Sequence, residues 1–283
     1  MALNLGGGSL TSSYSSLYLG NAQSMLSQSL LRLSSGQRIN KPSDDPGGLA
    51  VSMKLKNAIT VTEATKRNVD NALSYTDTQD SALESVADIL DRMSTLKTSY
   101  GSGTATTSDK SSYASEFKEL QKQLDVFKSE TFNSMSLFSS SAVSKQVMIS
   151  SRGESGPTIS ISSLNISEAL SVSSGVNLAN ATGSVTISGI SIGNLTTAIP
   201  QVASLRATSG ATSSRLQFSS DFLDTSKTNL EAANSRIMDV DVADEVTNYA
   251  KYNVQVYAAS AALAQANVNM GIVLDLLNFG SSR

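Results

Sequence analysis

The chain offers three groups of residues whose types and spacing could do chemistry. Asp44 and Asp45 are adjacent carboxylates, the residue type that serves general acid–base catalysis. Asn165-Ile-Ser, Asn180-Ala-Thr and Asn194-Leu-Thr fit the N-glycosylation acceptor pattern. Arg38 stands near Asp44 and Asp45, and Arg236 near Asp239 and Asp241, so opposite charges share two short segments. Against these stand absences. None of the 283 residues is His, Cys or Trp, which removes His-based zinc sites, Ser-His-Asp triads, cysteine nucleophiles and thiolate metal centres. Pro42 and Pro46 flank the carboxylate pair and no acid–base constellation accompanies it, so it reads as a spoke or turn. There is no Gly-rich phosphate loop. The expectation is a protein that is not an enzyme, with no cofactor and no metal. The three acceptor triplets fall in a chain with 53 Ser and 22 Thr, where they arise easily by chance.

Composition narrows the class further. A net charge of -3 lacks the basic footprint of a nucleic-acid binder. Seven Phe and 8 Tyr are few for this length, so Ala, Leu, Val and Ser must do the packing that aromatic side chains usually dominate. No uninterrupted apolar run reaches the roughly 18 residues of a membrane span. Met1 to Ser9 carries neither a basic segment nor an apolar stretch, which predicts export without a cleaved signal if the chain is exported.

The elements that must position these residues are read from helix breakers and periodicity. Gly and Pro are absent from 49–100, 104–152 and 211–270, and they cluster in 6–8, 36–48, 101–103 and 153–200. Helical ends around a turn-rich centre follow. In the C-terminal part Val242, Tyr249, Val256, Leu263, Met270 and Leu277 recur every seven residues, with Asn253, Ser260 and Asn267 on the intervening turn. A preceding register of Val202, Leu216, Leu223, Leu230 and Ile237 is out of phase with it, which places a break at Ser235 to Asp241. Leu19, Leu26, Leu30 and Leu33 mark a first helix, and the segment from Leu33 to Gly48 cannot stay helical. Val69, Ala72, Leu83, Val86, Leu90 and Met93 mark a second; a third runs from a cap at about Asp109 to Ser129, with Phe117, Leu120, Leu124 and Phe127 inward. Alternation of apolar and hydroxyl residues in 147–150, 158–162 and 184–192 predicts strands, with Gly153 to Pro157 turning the first two into a hairpin. The fold class expected is mainly α: an elongated antiparallel helical bundle or coiled coil formed by the N- and C-terminal segments, with a small β-hairpin region in the middle. A helix of about 50 residues is roughly 75 Å long, against a radius of gyration of about 19 Å for a globule of this length.

An uncovered heptad stripe is unstable. Burying one Leu, Val or Met contributes roughly 1.5–3 kcal/mol, and an isolated helix is marginal in water. The stripes of the two chain ends therefore call for partners: each other, and further copies of the chain.

Two distant motifs carry a resemblance. Leu31-Arg-Leu-Ser-Ser-Gly-Gln-Arg-Ile-Asn40 followed by Asp44-Asp45 and Gly48-Leu49-Ala50 resembles the N-terminal signature of bacterial flagellins; Asn234-Ser-Arg-Ile-Met-Asp239, Asp241 and Leu263-Ala-Gln-Ala-Asn267 resemble their C-terminal signature. Glu130-Thr-Phe-Asn133 is similar to the segment before the family's β-hairpin, and the likeness spans about 1–165 and 198–277. The resemblance implies a structural subunit that self-assembles into the flagellar filament outside the cell for swimming motility. It implies terminal helices at 1–35 and 242–283 forming an inner tube, with Leu19, Leu26, Leu30, Leu33, Val242, Tyr249, Val256, Leu263, Met270 and Leu277 as packing residues. Spokes at 36–46 and 235–241 would carry Arg38, Asp44, Asp45, Arg236, Asp239 and Asp241. A helical rod domain with its hairpin would occupy 47–163 and 198–234, leaving 164–197 as a short variable insertion. Partners implied are the chain itself as a helical homopolymer, filament cap and hook-filament junction proteins, and an export chaperone with the export apparatus. Arg92 and Leu96 match positions that a vertebrate innate-immune receptor recognises in many flagellins, and Glu116 lies near a third such position.

The two charged spokes are expected to run side by side and pair Arg38 and Arg236 with the aspartates. Two other classes compete with the filament subunit: a hook-filament junction protein, separated by copy number, and a monomeric secreted helical adhesin or effector, which would survive loss of residues 242–283.

Overall fold

The computed structural model describes residues 6–141, 143–151, 156–172, 176–179 and 185–281; side chains at 6–11, 172, 176, 273–274 and 276–281 lie outside the description. The elements are α1 (Gly6–Ser35), α2 (Pro46–Tyr100), α3 (Thr107–Lys128), β1 (Thr131–Phe132), β2 (Met135–Ser136), β3 (Ser144–Met148), β4 (Thr158–Ser162), the single turn α4 (Ile166–Ala169), β5 (Ser171–Val172), β6 (Val176–Asn177), α5 (Ile192–Met238) and α6 (Val242–Ser281). The fold is mainly α, with long helices packed antiparallel and, among the described residues, three small two-stranded antiparallel sheets. Two compact units share the chain: Met1–Asn57 with Leu230–Arg283, and Ala58–Asn229.

In the unit built from the chain ends, α1 and α6 lie side by side and antiparallel. Ser12 donates to Asn267 at 3.4 Å near one end, and Ser29 donates to Glu245 near the other. α1 stops where its sequence requires: Gly36 takes φ +70 and its N–H returns to the Arg32 carbonyl at 2.8 Å, an αL cap in which a Cβ would be strained. α2 starts on Pro46, whose missing N–H would be an orphan in the first turn anyway. The C-terminal break is shorter than 235–241, because α5 continues through Met238 before α6 begins at Val242.

The central unit is organised around a core of Val69, Leu83, Val86, Leu90 and Met93 from α2, Val202 and Leu216 from α5, and Phe117 and Leu124 from α3. Antiparallel register of α2 against α5 is recorded by Lys66–Asp224 at 2.7 Å, Arg206–Asp80 at 3.0 Å and Ser209 donating to the Thr76 carbonyl at 3.2 Å. The β3–β4 hairpin pairs Ser144 with Ser162 through to Met148 with Thr158, and its apolar side delivers Ile159 and Ile161 to the same core. Buried Gln79 ties the layers together: its amide donates to the Leu137 carbonyl at 2.7 Å and accepts from Ser209 at 3.4 Å.

Three sequence expectations are corrected. Thr106, not Asp109, caps α3: its hydroxyl accepts from the Asp109 N–H while the Asp109 carboxylate accepts from the Thr106 N–H, a reciprocal capping box. Residues 185–192 are not a strand. Thr186 to Gly189 form a turn closed by Gly189 N–H to the Thr186 carbonyl at 2.9 Å, and Ile187 and Ile190 are buried. Finally, Pro200 lies inside α5. An interior proline costs about 3 kcal/mol; burial of Leu195, Ala198 and Val202, each fully enclosed, outweighs it at roughly 1.5–3 kcal/mol per large side chain.

Candidate self-assembly surface

α1 and α6 each present more apolar surface than their mutual contact uses. At roughly 100° per residue, Leu19, Ala22, Leu26, Ser29 and Leu33 form the arc of α1 that meets α6, where Ala22 and Ser29 are buried and Leu19, Leu26 and Leu33 half-buried. On α6 the facing arc holds Tyr249, Val256, Leu263 and Met270, all half-buried. Beside it lies a second apolar arc of about 120°, formed by Val242, Val246, Val254, Tyr257, Val268 and Ile272, whose exposures run from 48% to 70%. The remaining arc of α6 is polar, with Asp244, Lys251, Gln255, Gln265 and Asn269, and within the outward apolar arc the polar side chains include Asn253 and Asp275. α1 repeats the plan: Tyr14, Leu17, Tyr18 and Met25 share one outward arc and are 47–66% exposed.

The packing residues expected from sequence therefore divide. Leu30 and Val242 point outward, 55% and 58% exposed, instead of into the α1–α6 contact, and the Leu277 side chain lies outside the described residues. Sequence reasoning missed the second arc because a single heptad register selects one stripe only; plotting all apolar residues of α6 at 100° steps would have found it. It also missed the buried polar cluster in the contact. Glu245, 6% exposed, accepts from Ser29 and lies 3.8 Å from Arg32, fixing the register of two helices whose apolar side chains alone would tolerate sliding.

The links between α1 and α2 and between α5 and α6 run side by side, as expected, but backbone groups join them. Gln37 and Asp239 form an antiparallel bridge, Arg38 N–H donates to the Met238 carbonyl at 2.6 Å and Val240 N–H to the Gly36 carbonyl at 3.0 Å. The Arg38 guanidinium donates to the Ile237 carbonyl at 2.8 Å. Ion pairs among the described residues include neither Arg38 nor Arg236, so the expected charge pairing is corrected: the carboxylates accept from nearby backbone N–H groups and, at Asp44 and Asp239, also from the Gln28 amide and the Ser235 hydroxyl. Asp44 accepts from the N–H groups of Asn40 and Lys41 at 3.1 and 2.9 Å; these bonds, Lys41's foremost, hold its carboxyl below the ordinary carboxylate value. Asp45 accepts from Gly48 N–H at 2.8 Å, Asp239 from Ser235, and Asp241 caps α6 through the N–H groups of Ala243 and Asp244. Such carboxylates terminate turns and helices.

The remaining expected sites are scattered over the central unit. Arg92 is exposed and donates through Nε to Glu116 at 2.7 Å, which raises its pKa. Leu96 is 2% exposed and belongs to the core, so it packs inside the unit and has no surface to offer a partner. Asn165 uses its amide to cap α4 and to reach the Ser140 carbonyl. Asn194 sits in the first turn of α5 and accepts from the Ser191 hydroxyl at 3.0 Å. Asn180 lies outside the described residues.

An antiparallel pair of terminal helices with uncovered apolar flanks, joined through a bonded pair of short links to helices of a second unit, defines a subunit class: helical proteins whose chain ends are completed by other molecules. Comparison gives the family. Residues 10–142 match the bacterial flagellin N-terminal helical region and residues 192–277 the bacterial flagellin C-terminal helical region. A flagellin of Halalkalibacterium halodurans is 30% identical over 87% of this chain and 89% of its own. The flagellar filament 33 kDa core protein of Treponema phagedenis is 30% identical over 92% and 94%. A solved structure assigned as a flagellar hook-associated protein of Vibrio parahaemolyticus shares the fold, with TM-score 0.57 at 14% identity over 69% of this chain and all of its own. The chain belongs to the bacterial flagellin family and is a structural subunit of the flagellar filament.

Proposed function

We propose that the outward arcs of α1 and α6 are the surfaces through which copies of this chain polymerise, with residues 1–35 and 242–283 forming an inner tube. The observation that carries this reading is the second apolar arc of α6, six large side chains about half exposed or more. Monomeric soluble proteins rarely leave a contiguous patch of this kind in water, and a helical polymer covers it by heterologous contacts that repeat without closing. Residues 36–46 and 235–241 act as spokes, and 47–163 with 198–234 as the surrounding rod.

The same arc bears on the partners expected beyond the chain itself. Before assembly it needs cover, which fits an export chaperone at α6 and passage through the flagellar export apparatus; cap and hook-filament junction proteins would meet the two ends of the polymer. Arg92 with Glu116 is the surface on which a vertebrate innate-immune receptor would act, without Leu96. Glycosylation at Asn165 or Asn194 would require breaking the hydrogen bonds those side chains make.

Purified protein incubated with short filament seeds and imaged by electron microscopy should extend them, and protein lacking 242–283 should not. A chain that stays a single particle beside seeds, with the amides of α1 and α6 already protected from exchange, refutes the reading.

A further inference from the structure

Gln121 of α3 is 1% exposed, and its amide Nε2 meets no hydrogen-bond acceptor among the described residues. A buried donor without a partner is costly and uncommon. Gln121 lines an open pocket of about 290 Å³ in the central unit, and rotation about its last torsion can turn either end of the carboxamide towards that space. On α3 the pocket follows one helix face, since Ser111, Ala114, Ser115 and Lys118 keep the i, i+3, i+4, i+7 spacing. Buried Phe117 and Ile187 give it apolar walls. The wall at 185–187 is pinned, because Lys97 Nζ donates to the Ile187 carbonyl at 2.8 Å. Lys118 brings charge. Lys122 and Lys128 are paired with acids one turn back and Lys110 lies 5.9 Å from the Tyr100 ring centre, whereas no ion pair among the described residues includes Lys118. No acidic side chain among them lines the pocket.

These features define an occupant by its chemistry. An unmatched amide donor and an unpaired ammonium call for an acceptor that carries negative charge, because charge-assisted hydrogen bonds are the strong ones. Apolar walls call for an apolar body, which a phosphate ion lacks. At the roughly 30 Å³ that one water takes in the liquid, the space holds about ten non-hydrogen atoms. We propose that this pocket binds a small monocarboxylate with an apolar body, its carboxylate held by the Gln121 amide and the Lys118 ammonium and its body against Phe117 and Ile187. Glu116 lies about 160° around α3 from the pocket, so the site is separate from the Arg92–Glu116 surface. It lies within one unit of the chain and does not depend on polymerisation.

Phenylacetate is the probe, titrated into the unpolymerised full-length chain and followed by amide NMR. Saturable shifts should appear at the Gln121 side-chain amide and at the backbone amides of Ser115, Lys118 and Ile187, with a Kd of about 1 mM, the scale that so few atoms support. Phenylacetamide, of the same shape but uncharged, should bind about tenfold more weakly or worse. Gln121→Leu removes the unmatched donor, so it should keep or raise the melting temperature while weakening phenylacetate about tenfold or more. Lys118→Gln changes an exposed side chain, leaves the fold in place and should weaken binding about 3- to 10-fold; with phenylacetamide it carries the test should Gln121→Leu fail to fold. No saturable shift at these amides up to about 20 mM, equal binding of the two probes, or full affinity in Lys118→Gln each overturns the proposal. Because every readout is taken on the unpolymerised chain, such a result leaves the self-assembly reading standing.

Discussion

Replacing Val254 and Tyr257 of α6 by Ser should separate folding from polymerisation. Both side chains lie on the outward arc, away from α1, with 67% and 70% of their surfaces exposed. Fully burying a large apolar side chain contributes roughly 1.5–3 kcal/mol; the two-thirds still in contact with water then leaves about 1–2 kcal/mol for each residue to gain from a neighbouring copy. Together they amount to about 2–4 kcal/mol, and at 1.4 kcal/mol per factor of ten the critical concentration should rise roughly 30- to 700-fold. The residues are one helical turn apart and couple, so the lower half of that range is expected. Surface changes of this kind move the stability of an isolated unit by about 0.5 kcal/mol or less. The assay is seeded growth followed by pelleting, with soluble protein at the plateau as the readout and the melting curve of the unpolymerised variant as the control. A plateau within about threefold of the parent, with both proteins equally folded, would show that this arc is not covered in the filament and refute the assignment.

Three further outcomes follow from the geometry. Gly48→Ala should destabilise the start of α2 by about 1–3 kcal/mol in thermal unfolding, because a Cβ there would lie 2.3 Å from the Asp45 carboxylate and 2.9 Å from Ile39; an unchanged melting temperature refutes the fit. Ser134→Gly should stabilise the β1–β2 hairpin by about 1 kcal/mol, since Asn133 and Ser134 both take positive φ, at 48 and 63, in a two-residue turn that favours glycine; a loss of stability would contradict this. Asp44 is held below its ordinary value of 3.8 by backbone N–H donors, so its stabilising contribution is present above that value and lost as pH falls through the lowered one. An Asp44→Asn variant should therefore show a flatter loss of stability below about pH 4, and an identical acid profile would exclude the role.

The carboxylates at 44 and 45 illustrate how local sequence limits a reading. Two adjacent acids between prolines exclude a regular helix, and that much follows from the residues alone. Which donors they accept from depends on the path of the chain through Asn40, Lys41 and Gly48. Arg38 likewise met a backbone carbonyl of the opposite link, a partner no residue type announces. Leu96 was legible as a helical apolar residue, but only packing against the other helices and hairpins of its unit puts it in the core.

Sequence by itself determined what neighbouring residues settle between them: that the chain breaks within 36–48 and 235–241, the period of the terminal helices, the β3–β4 hairpin, and the two end motifs that resemble the family. Those features rest on backbone preference and on spacing along one chain. Tertiary structure alone decided that Pro200 stays inside a helix, that the alternating run at 185–192 turns instead of pairing, and that Leu30 and Val242 face outward while Leu19 and Tyr249 face the α1–α6 contact. The physical reason is that periodicity specifies which side chains share a face, whereas burial depends on what lies across from that face, and what lies there is distant in sequence or belongs to another molecule.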